Sequence, residues 1–298
     1  MMKSIFLLLV FSMLAVGSFA QEEDWTWWNE INGWEPGMPS WRTFLTISPG
    51  YLGPNALPVP EVKKGFLEVK KQLEIAGNIH IRKGDNTQDV SGRFYYPFAG
   101  NKIAIEVYGV MFEHYSFSTE VRDERAARDK DGKGTTVGDL YFSTQLQLWK
   151  DRKFPDALLR VTMKTASGGA LDAARYTDSP GYFFDLSFSE RFANSKNGLV
   201  FLPFASLGFY SWQTNDDMNL QNDAWMYGGG FDLSKGKWTF SNSLAGYNGY
   251  KSQRDQPMVY NFEVKRQLKK DVLRFQLTYG LRNWTYTKFT FAYCWQWN

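Results

Sequence analysis

The chain has 298 residues, of which 43% are hydrophobic and 22% charged, with a mean hydropathy of -0.42. Its 24 Phe, 16 Tyr and 12 Trp supply too much buriable surface for a disordered chain, and its longest apolar run, residues 5–16, is shorter than the roughly 18 residues of a membrane-spanning helix. A single cysteine, Cys294, excludes an internal disulfide, and 34 basic against 31 acidic side chains argue against a nucleic-acid-binding protein.

The first 20 residues have the pattern of an export signal. Lys3 supplies a positive start, residues 5–16 supply an apolar core, and Ser18-Phe19-Ala20 form a small-residue cleavage site. We therefore expect export, cleavage after Ala20 and a mature chain that begins at Gln21.

Residues 21–65 are rich in tryptophan and proline. The prolines and glycines of residues 47–60 prevent a regular helix or a central strand there. We expect a structural segment that packs at the periplasmic mouth or inside the lumen of the domain that follows. The alternative is a selectivity element whose rings stack on a solute. The rings concerned are Trp25, Trp27, Trp28, Trp34, Trp41 and Tyr51.

From residue 66 onward, apolar residues recur with a period of two, which indicates strands. In the last segment, aromatic side chains occupy every odd position from Phe289 to Trp297, and polar or small residues occupy the even positions. We predict about twelve strands, near residues 66–82, 88–97, 102–118, 137–149, 157–165, 182–192, 199–212, 223–233, 238–250, 257–267, 272–282 and 286–297.

Strand length and loop length together indicate a membrane barrel. The predicted strands exceed the 5 or 6 residues usual in soluble sheets and match the roughly 9–11 residues that cross a bilayer. Alternate connections are short, whereas residues 119–136 and 166–181 form long polar loops on the opposite side. An even strand number with short turns at one end is typical of outer-membrane barrels. We therefore predict an all-β fold, a transmembrane antiparallel β-barrel over residues 66–298.

If the apolar face contacts lipid, the opposite face lines the lumen. Unpaired charges out of water are costly, so such a lumen is either water-filled or cross-linked by ion pairs. A barrel of about twelve strands is compatible with a narrow pore or a plugged one. The candidate lumen residues are Arg93, Glu106, Arg160, Lys164, Asp185, Arg274 and Arg282.

A lipid hydrolase is a weaker hypothesis. His114 and Ser116 have the His-x-Ser spacing of outer-membrane phospholipases, but Phe117-Ser118 replaces their Asn-Gly and Arg128 stands where their orienting Asn is expected. Parity counted from Ile103 also predicts both side chains on the lumen side, whereas that active site faces lipid. We predict no catalytic residue, no metal site and no cofactor; Asp129-Lys130-Asp131-Gly132 lacks the closing Glu of a calcium loop.

Residues 138–192 carry a family resemblance. Gly138-Asp139 opens a strand, Pro155-Asp156-Ala157 opens the next, and Lys164-Thr165 is followed by Gly168-Gly169. This region resembles the outer-membrane family named for the meta-pathway of phenol degradation. The resemblance implies a barrel that passes small, often hydrophobic molecules.

We therefore expect a porin-like channel in the outer membrane of a Gram-negative bacterium, with lipid around it and a small, hydrophobic or aromatic solute inside. A second hypothesis is a non-conducting structural or assembly barrel, whose long loops bind an envelope protein. Nucleic acid is not an expected partner.

Overall fold

The computed structural model describes residues 24–298, and the predicted signal, residues 1–20, lies outside the described residues. Within this part, two short α-helices, one 3-10 turn at Trp41–Phe44 and fourteen strands occur. The helices are α1 (Thr26–Asn32) and α2 (Thr119–Glu124). The strands are β1 (Lys71–Arg82), β2 (Asp85–Phe98), β3 (Ile103–Phe117), β4 (Lys133–Thr136), β5 (Leu140–Trp149), β6 (Asp156–Lys164), β7 (Gly181–Ser189), β8 (Phe192–Asn194), β9 (Leu199–Gln213), β10 (Gln221–Lys235), β11 (Trp238–Gly249), β12 (Met258–Gln267), β13 (Val272–Arg282) and β14 (Thr287–Trp297).

Twelve of these strands form a closed antiparallel barrel, and the short β4 and β8 pair beside its wall. The last strand closes on the first, with a register that runs from Lys71↔Trp297 to Ile81↔Thr287. Closure satisfies the backbone N–H and C=O groups of the wall without a free edge, which is what a lipid environment requires. The predicted fold class is therefore confirmed, although β1 begins at Lys71 rather than residue 66 and β2 at Asp85 rather than 88.

The outer face of the wall is apolar, because the period of two in the sequence becomes an inside and an outside. On β1, the side chains of Leu73, Ile75 and Ile79 are more than 40% exposed, whereas those of Glu74 and His80 are buried. The aromatic row of β14 likewise points outward, and Cys294 lies on the inner face.

The connections differ in length between the two ends of the barrel. The short-turn end contains residues 99–102, 150–155, 190–198, 236–237 and 268–271, together with the last residue of β14. The long-loop end contains residues 83–84, 118–139, 165–180, 214–220, 250–257 and 283–286. The long loops, residues 118–139 and 165–180, therefore lie at one end of the barrel, as predicted from the sequence.

The prediction that His114 and Ser116 face the lumen is wrong. The register between β2 and β3 skips Met111, because Val90 pairs with Phe112 and the next residue, Ser91, pairs with Val110. Such a bulge reverses the side-chain alternation beyond it. His114 and Ser116 are therefore exposed on the outer face instead of lining the lumen.

Residues 24–38 form a compact unit separate from residues 39–298. Its helix α1 ends at Gly33, whose left-handed backbone (φ 64°) closes the last turn through a bond to the carbonyl of Asn29. No helix among residues 24–298 is long and apolar enough to cross a membrane.

Candidate functional site

The chain runs through the lumen before it enters β1. Residues 47–68, named here the luminal segment, begin at the long-loop end, where the Ser48 hydroxyl donates to the carbonyl of Gln253 (2.6 Å). Halfway along, the carbonyl of Leu57 accepts from the Tyr247 hydroxyl (2.8 Å). At the short-turn end, the N–H of Leu67 donates to Oε1 of Gln147 (2.8 Å). The segment therefore spans the lumen from one end to the other.

The luminal segment forms neither helix nor strand, and side chains of the wall and of its connections hydrogen-bond to several of its backbone groups. The indole N–H groups of Trp212 and Trp284 donate to the carbonyls of Ile47 (3.1 Å) and Pro54 (2.9 Å). The prolines of the segment have no N–H that needs a partner. Gly228 on β10 makes room for it, because a Cβ there would lie 2.4 Å from Cγ2 of Val62. The luminal segment therefore packs closely against the interior of the barrel.

At the long-loop end, a buried ion-pair cluster joins the loops to the wall. Arg175 contacts Asp85 (3.2 Å) and Glu113 (2.8 Å), and Arg125 also contacts Asp85 (2.7 Å), with all four side chains at most 1% exposed. Asn55 of the luminal segment donates to Glu113 (2.7 Å). Burial opposes the positive charge of Arg175, but the carboxylates of Glu113 and Asp85 raise its pKa above the ordinary value. This cluster ties two loops, the wall and the segment together.

Tyr176 extends this cluster. Its hydroxyl donates to Glu113 (2.8 Å). Burial raises the pKa of Tyr176 well above its ordinary value, and the negative charge of Glu113 adds to the effect, so the hydroxyl remains a donor. The loop that contains both Arg175 and Tyr176 is therefore fixed over the mouth of the barrel.

Six of the seven predicted lumen residues face inward and form ion pairs. The pairs are Arg93–Glu106 (2.9 Å), Arg160–Asp185 (2.6 Å), Lys164–Asp139 (2.7 Å) and Arg274–Glu74 (2.6 Å). The luminal segment joins this network, because Lys63 contacts Glu106 (3.2 Å) and the Arg160 guanidinium donates to the carbonyl of Glu61 (2.9 Å). The lumen is thus cross-linked by charge pairs.

The seventh residue, Arg282, is not in the lumen. Its side chain is exposed at the rim of the long-loop end and donates to the carbonyl of Gln256 (2.7 Å) and to Oδ1 of Asn248 (2.7 Å). Arg282 lies at the last position of β13, where the register with β12 shifts between Met258 and Val259. Strict alternation of inward and outward residues therefore predicted the wrong position for Arg282.

Two cavities lie against the middle of the luminal segment. The larger of these two, about 270 Å³, is bordered by residues of β1–β3, β5, β9 and β11–β14. The smaller, about 110 Å³, lies among Tyr108, Arg160, Phe183 and Tyr210. Pro58 to Glu61 line both, so the segment separates them. Each volume far exceeds the roughly 10–15 Å³ that one water needs, and the charged lining requires hydration.

Trp41 and Tyr51, two of the aromatic residues predicted to plug or stack, are not among the residues that line these cavities. Tyr51 lies under the guanidinium of Arg254 (4.7 Å), and Trp41 lies under that of Arg128 (5.1 Å). Trp25, Trp27, Trp28 and Trp34 belong to the unit of residues 24–38. Trp212 of β9 and Trp284 of the connection at residues 283–286 instead bind the segment.

The outward His114 and Ser116 show no catalytic arrangement. Within residues 24–298, no hydrogen bond joins their side chains to each other or to a third group that would orient them, as a nucleophile and its base require. The carboxylate of Asp129 accepts from the Tyr115 hydroxyl (2.9 Å) and shapes a turn. No group of three or more His, Cys, Asp or Glu side chains in the described part of the chain could hold a metal.

The sequence analysis missed the ion-pair cluster of the long-loop end. Asp85 falls in what was predicted as a turn, and Arg125 and Arg175 fall in loops predicted to be extracellular and polar. The sequence contained one indication of this cluster. Arg175 directly follows Ala173 and Ala174, and small apolar residues favour packing over solvent exposure.

Comparison with solved structures places the fold. An outer-membrane channel from Pseudomonas putida F1 superimposes with a TM-score of 0.55 at 14% identity, over 80% of this chain and 100% of that one. This chain therefore shares the β-barrel fold of that protein. The KdgM porin (TM-score 0.46, 10% identity, 76% of this chain and 99% of that one) and the CymD monoaromatic hydrocarbon channel (0.40, 8%, 78% and 90%) are more distant. No protein-family profile and no curated protein matches the sequence.

Proposed function

We propose that the protein is an outer-membrane channel that passes small solutes through a lumen narrowed by its own luminal segment. The course of that segment carries the proposal: it runs the length of the lumen and leaves cavities of about 270 and 110 Å³ with polar, charged linings. Side chains alone fill a barrel of eight strands, and sixteen strands enclose an aqueous channel. Twelve strands around an additional length of chain leave a narrow, selective passage.

The location follows from the wall. The outward apolar face suits lipid, and short turns at one end with longer loops at the other are typical of outer-membrane barrels. By the same rule, the short-turn end faces the periplasm and the long-loop end faces the exterior. Export by residues 1–20, with cleavage after Ala20, is part of this proposal.

The solute class rests on the resemblance of residues 138–192, which form β5 to β7 and their loops, to the phenol-degradation family. That resemblance favours small hydrophobic or aromatic molecules. The smaller cavity supports it, because its lining includes the rings of Tyr108, Tyr141, Phe183 and Tyr210. Aromatic faces bind apolar rings through offset and edge contacts.

Liposome swelling with solutes of graded size tests the channel. We expect proteoliposomes to swell with the smallest solutes and swelling to fall steeply as solute size increases, because the luminal segment limits the passage. Protein-free liposomes and the same protein unfolded before reconstitution are the controls. Absence of swelling with every solute, together with co-purification of another envelope protein, would favour the structural alternative. The inward packing of Arg125 and Arg175 already leaves less of the long loops available for a partner.

The direction of the luminal segment gives a second test. The chain enters the lumen from the long-loop end, where Arg42 contacts Asp178 (2.9 Å) and its carbonyl accepts from Asn215 (3.1 Å). Ser40 is exposed, so we expect Ser40→Cys to react with a membrane-impermeant maleimide on intact cells.

The matched control is Ser195→Cys, an exposed position at the short-turn end. It should react only after the outer membrane is permeabilised, and the buried native Cys294 should give little background. Labelling of Ser195→Cys on intact cells, with Ser40→Cys protected, would reverse the proposed orientation.

A further inference from the structure

The larger cavity contains a lysine that makes no direct ion pair or side-chain hydrogen bond with a described residue. Lys288 on β14 lines this cavity and makes no salt bridge or side-chain hydrogen bond with any residue of the range 24–298. Other cations of the same lining are paired: Arg274 with Glu74, Arg93 with Glu106, and Lys64 with Asp232. An ammonium group has three donors, so Lys288 is available to an anion that enters the cavity.

The carboxylates that line the cavity are already engaged. Glu74 pairs with Arg274, Glu263 with Lys265, Asp139 with Lys164 and Glu61 with Lys63. Asp89 accepts from Asn78 (2.6 Å), from Nε2 of His80 (2.7 Å) and from Asn55 of the luminal segment (3.0 Å). Register fixes Lys288 between His80 on β1 and Thr278 on β13, so its backbone cannot shift toward Asp89 without breaking the wall. The Lys288 side chain therefore lines the cavity without a direct carboxylate partner.

Apolar side chains line the same cavity. Trp284, Val259 and Val59 belong to one apolar cluster, and all three also line the cavity. The indole N–H of Trp284 is held by the carbonyl of Pro54, which fixes the orientation of its ring. A ligand that uses the whole site needs one anionic group and a compact apolar body. A volume of about 270 Å³ lies near the lower end of the roughly 300–1,000 Å³ usual for small-molecule sites, which favours a small ligand.

We propose that this cavity binds a small organic acid, with its carboxylate on the Lys288 ammonium and its apolar body against Val59, Val259 and Trp284. The proposal narrows the solute class of the channel and so rests on the proposed function. A neutral analogue of the same shape gains the apolar contacts but not the charge-assisted hydrogen bond. The site therefore discriminates by charge as well as by size.

Benzoate and its neutral isostere benzamide provide the test, by titration calorimetry on the full mature chain in detergent. We expect wild-type protein to bind benzoate about tenfold or more tightly than benzamide, because a hydrogen bond to a charged group is lost with the amide. Lys288→Met should lower benzoate affinity by a similar factor and leave benzamide affinity unchanged. Lys288→Arg should retain most of the preference, and Lys196→Met, at an exposed turn, should match the wild type.

Equal affinity of the wild type for benzoate and benzamide would overturn the proposal even if no variant could be prepared. Unchanged benzoate affinity in a folded Lys288→Met variant would overturn it as well. The two proposals fail separately, since binding in detergent needs no conduction. If benzoate binding depends on Lys288 but the protein conducts no solute, the binding site is supported and the channel function is contradicted. Solute flux through a protein that binds benzoate no more tightly than benzamide would support the channel and overturn the binding site.

Discussion

Deletion of residues 22–60 should raise the single-channel conductance in planar bilayers several-fold. The deletion removes most of the luminal segment, including Asn55 and the carbonyls that accept from Trp212, Trp284 and Tyr247. The two cavities would then merge into one continuous aqueous space within a twelve-stranded wall. The wall should still form, because its backbone hydrogen bonds run between strands and do not involve the segment.

Deletion of residues 22–38 is the matched control. It removes the unit that contains α1 but keeps the whole luminal segment, so the difference in conductance between the two deletions measures the effect of residues 39–60. Circular dichroism should show the same strand content for both deletions. A conductance that stays at the wild-type value after deletion of residues 22–60 would contradict an occluding role for the segment.

Much of the wall could be predicted from the sequence, for a simple physical reason. Lipid on one face and a polar interior on the other impose opposite chemistry on successive residues, as in β1 and β14, so the alternation is visible without an alignment. The twelve strands and the sorting of short and long connections follow from this pattern.

The errors occur where the backbone departs from strict alternation. The bulge falls at Met111, where Met111 and Phe112 are consecutive apolar residues that are each 51% exposed. Nothing in their polarity marks the extra residue, and the prediction for His114 and Ser116 therefore inverted. Arg282 was misplaced by the same kind of shift.

The interior could be predicted only in composition. Arg160 and Asp185 were both assigned to the lumen, but their pairing depends on the register between β6 and β7, which places them directly opposite. The course of the luminal segment depends on contacts across most of the chain, such as the bond from Ser48 to Gln253. The free ammonium of Lys288 is likewise a property of packing, because it is defined by which neighbouring carboxylates are already engaged.

Replacement of Arg175 by Met should lower the free energy of unfolding by about 3–5 kcal/mol, the usual cost of leaving buried charge without its partner. Arg175 neutralises both Asp85 and Glu113, and its guanidinium also donates to the Thr87 hydroxyl (2.8 Å). Methionine preserves much of the side-chain volume, so the loss is chiefly electrostatic. Urea-dependent unfolding in detergent micelles measures it.

Arg42→Met is the matched control, since Arg42 pairs with Asp178 through side chains that are 52% and 42% exposed. An exposed pair contributes about 0–1 kcal/mol, so this variant should unfold near the wild-type urea concentration. The Arg175→Met variant can lose less stability than expected only if the loop of residues 165–180 opens, so that water reaches both carboxylates. That opening would expose Ala173, Ala174 and Tyr176, and in bilayers it should appear as a higher conductance. A variant with unchanged stability and unchanged conductance would therefore show that the cluster does not hold the loops over the mouth.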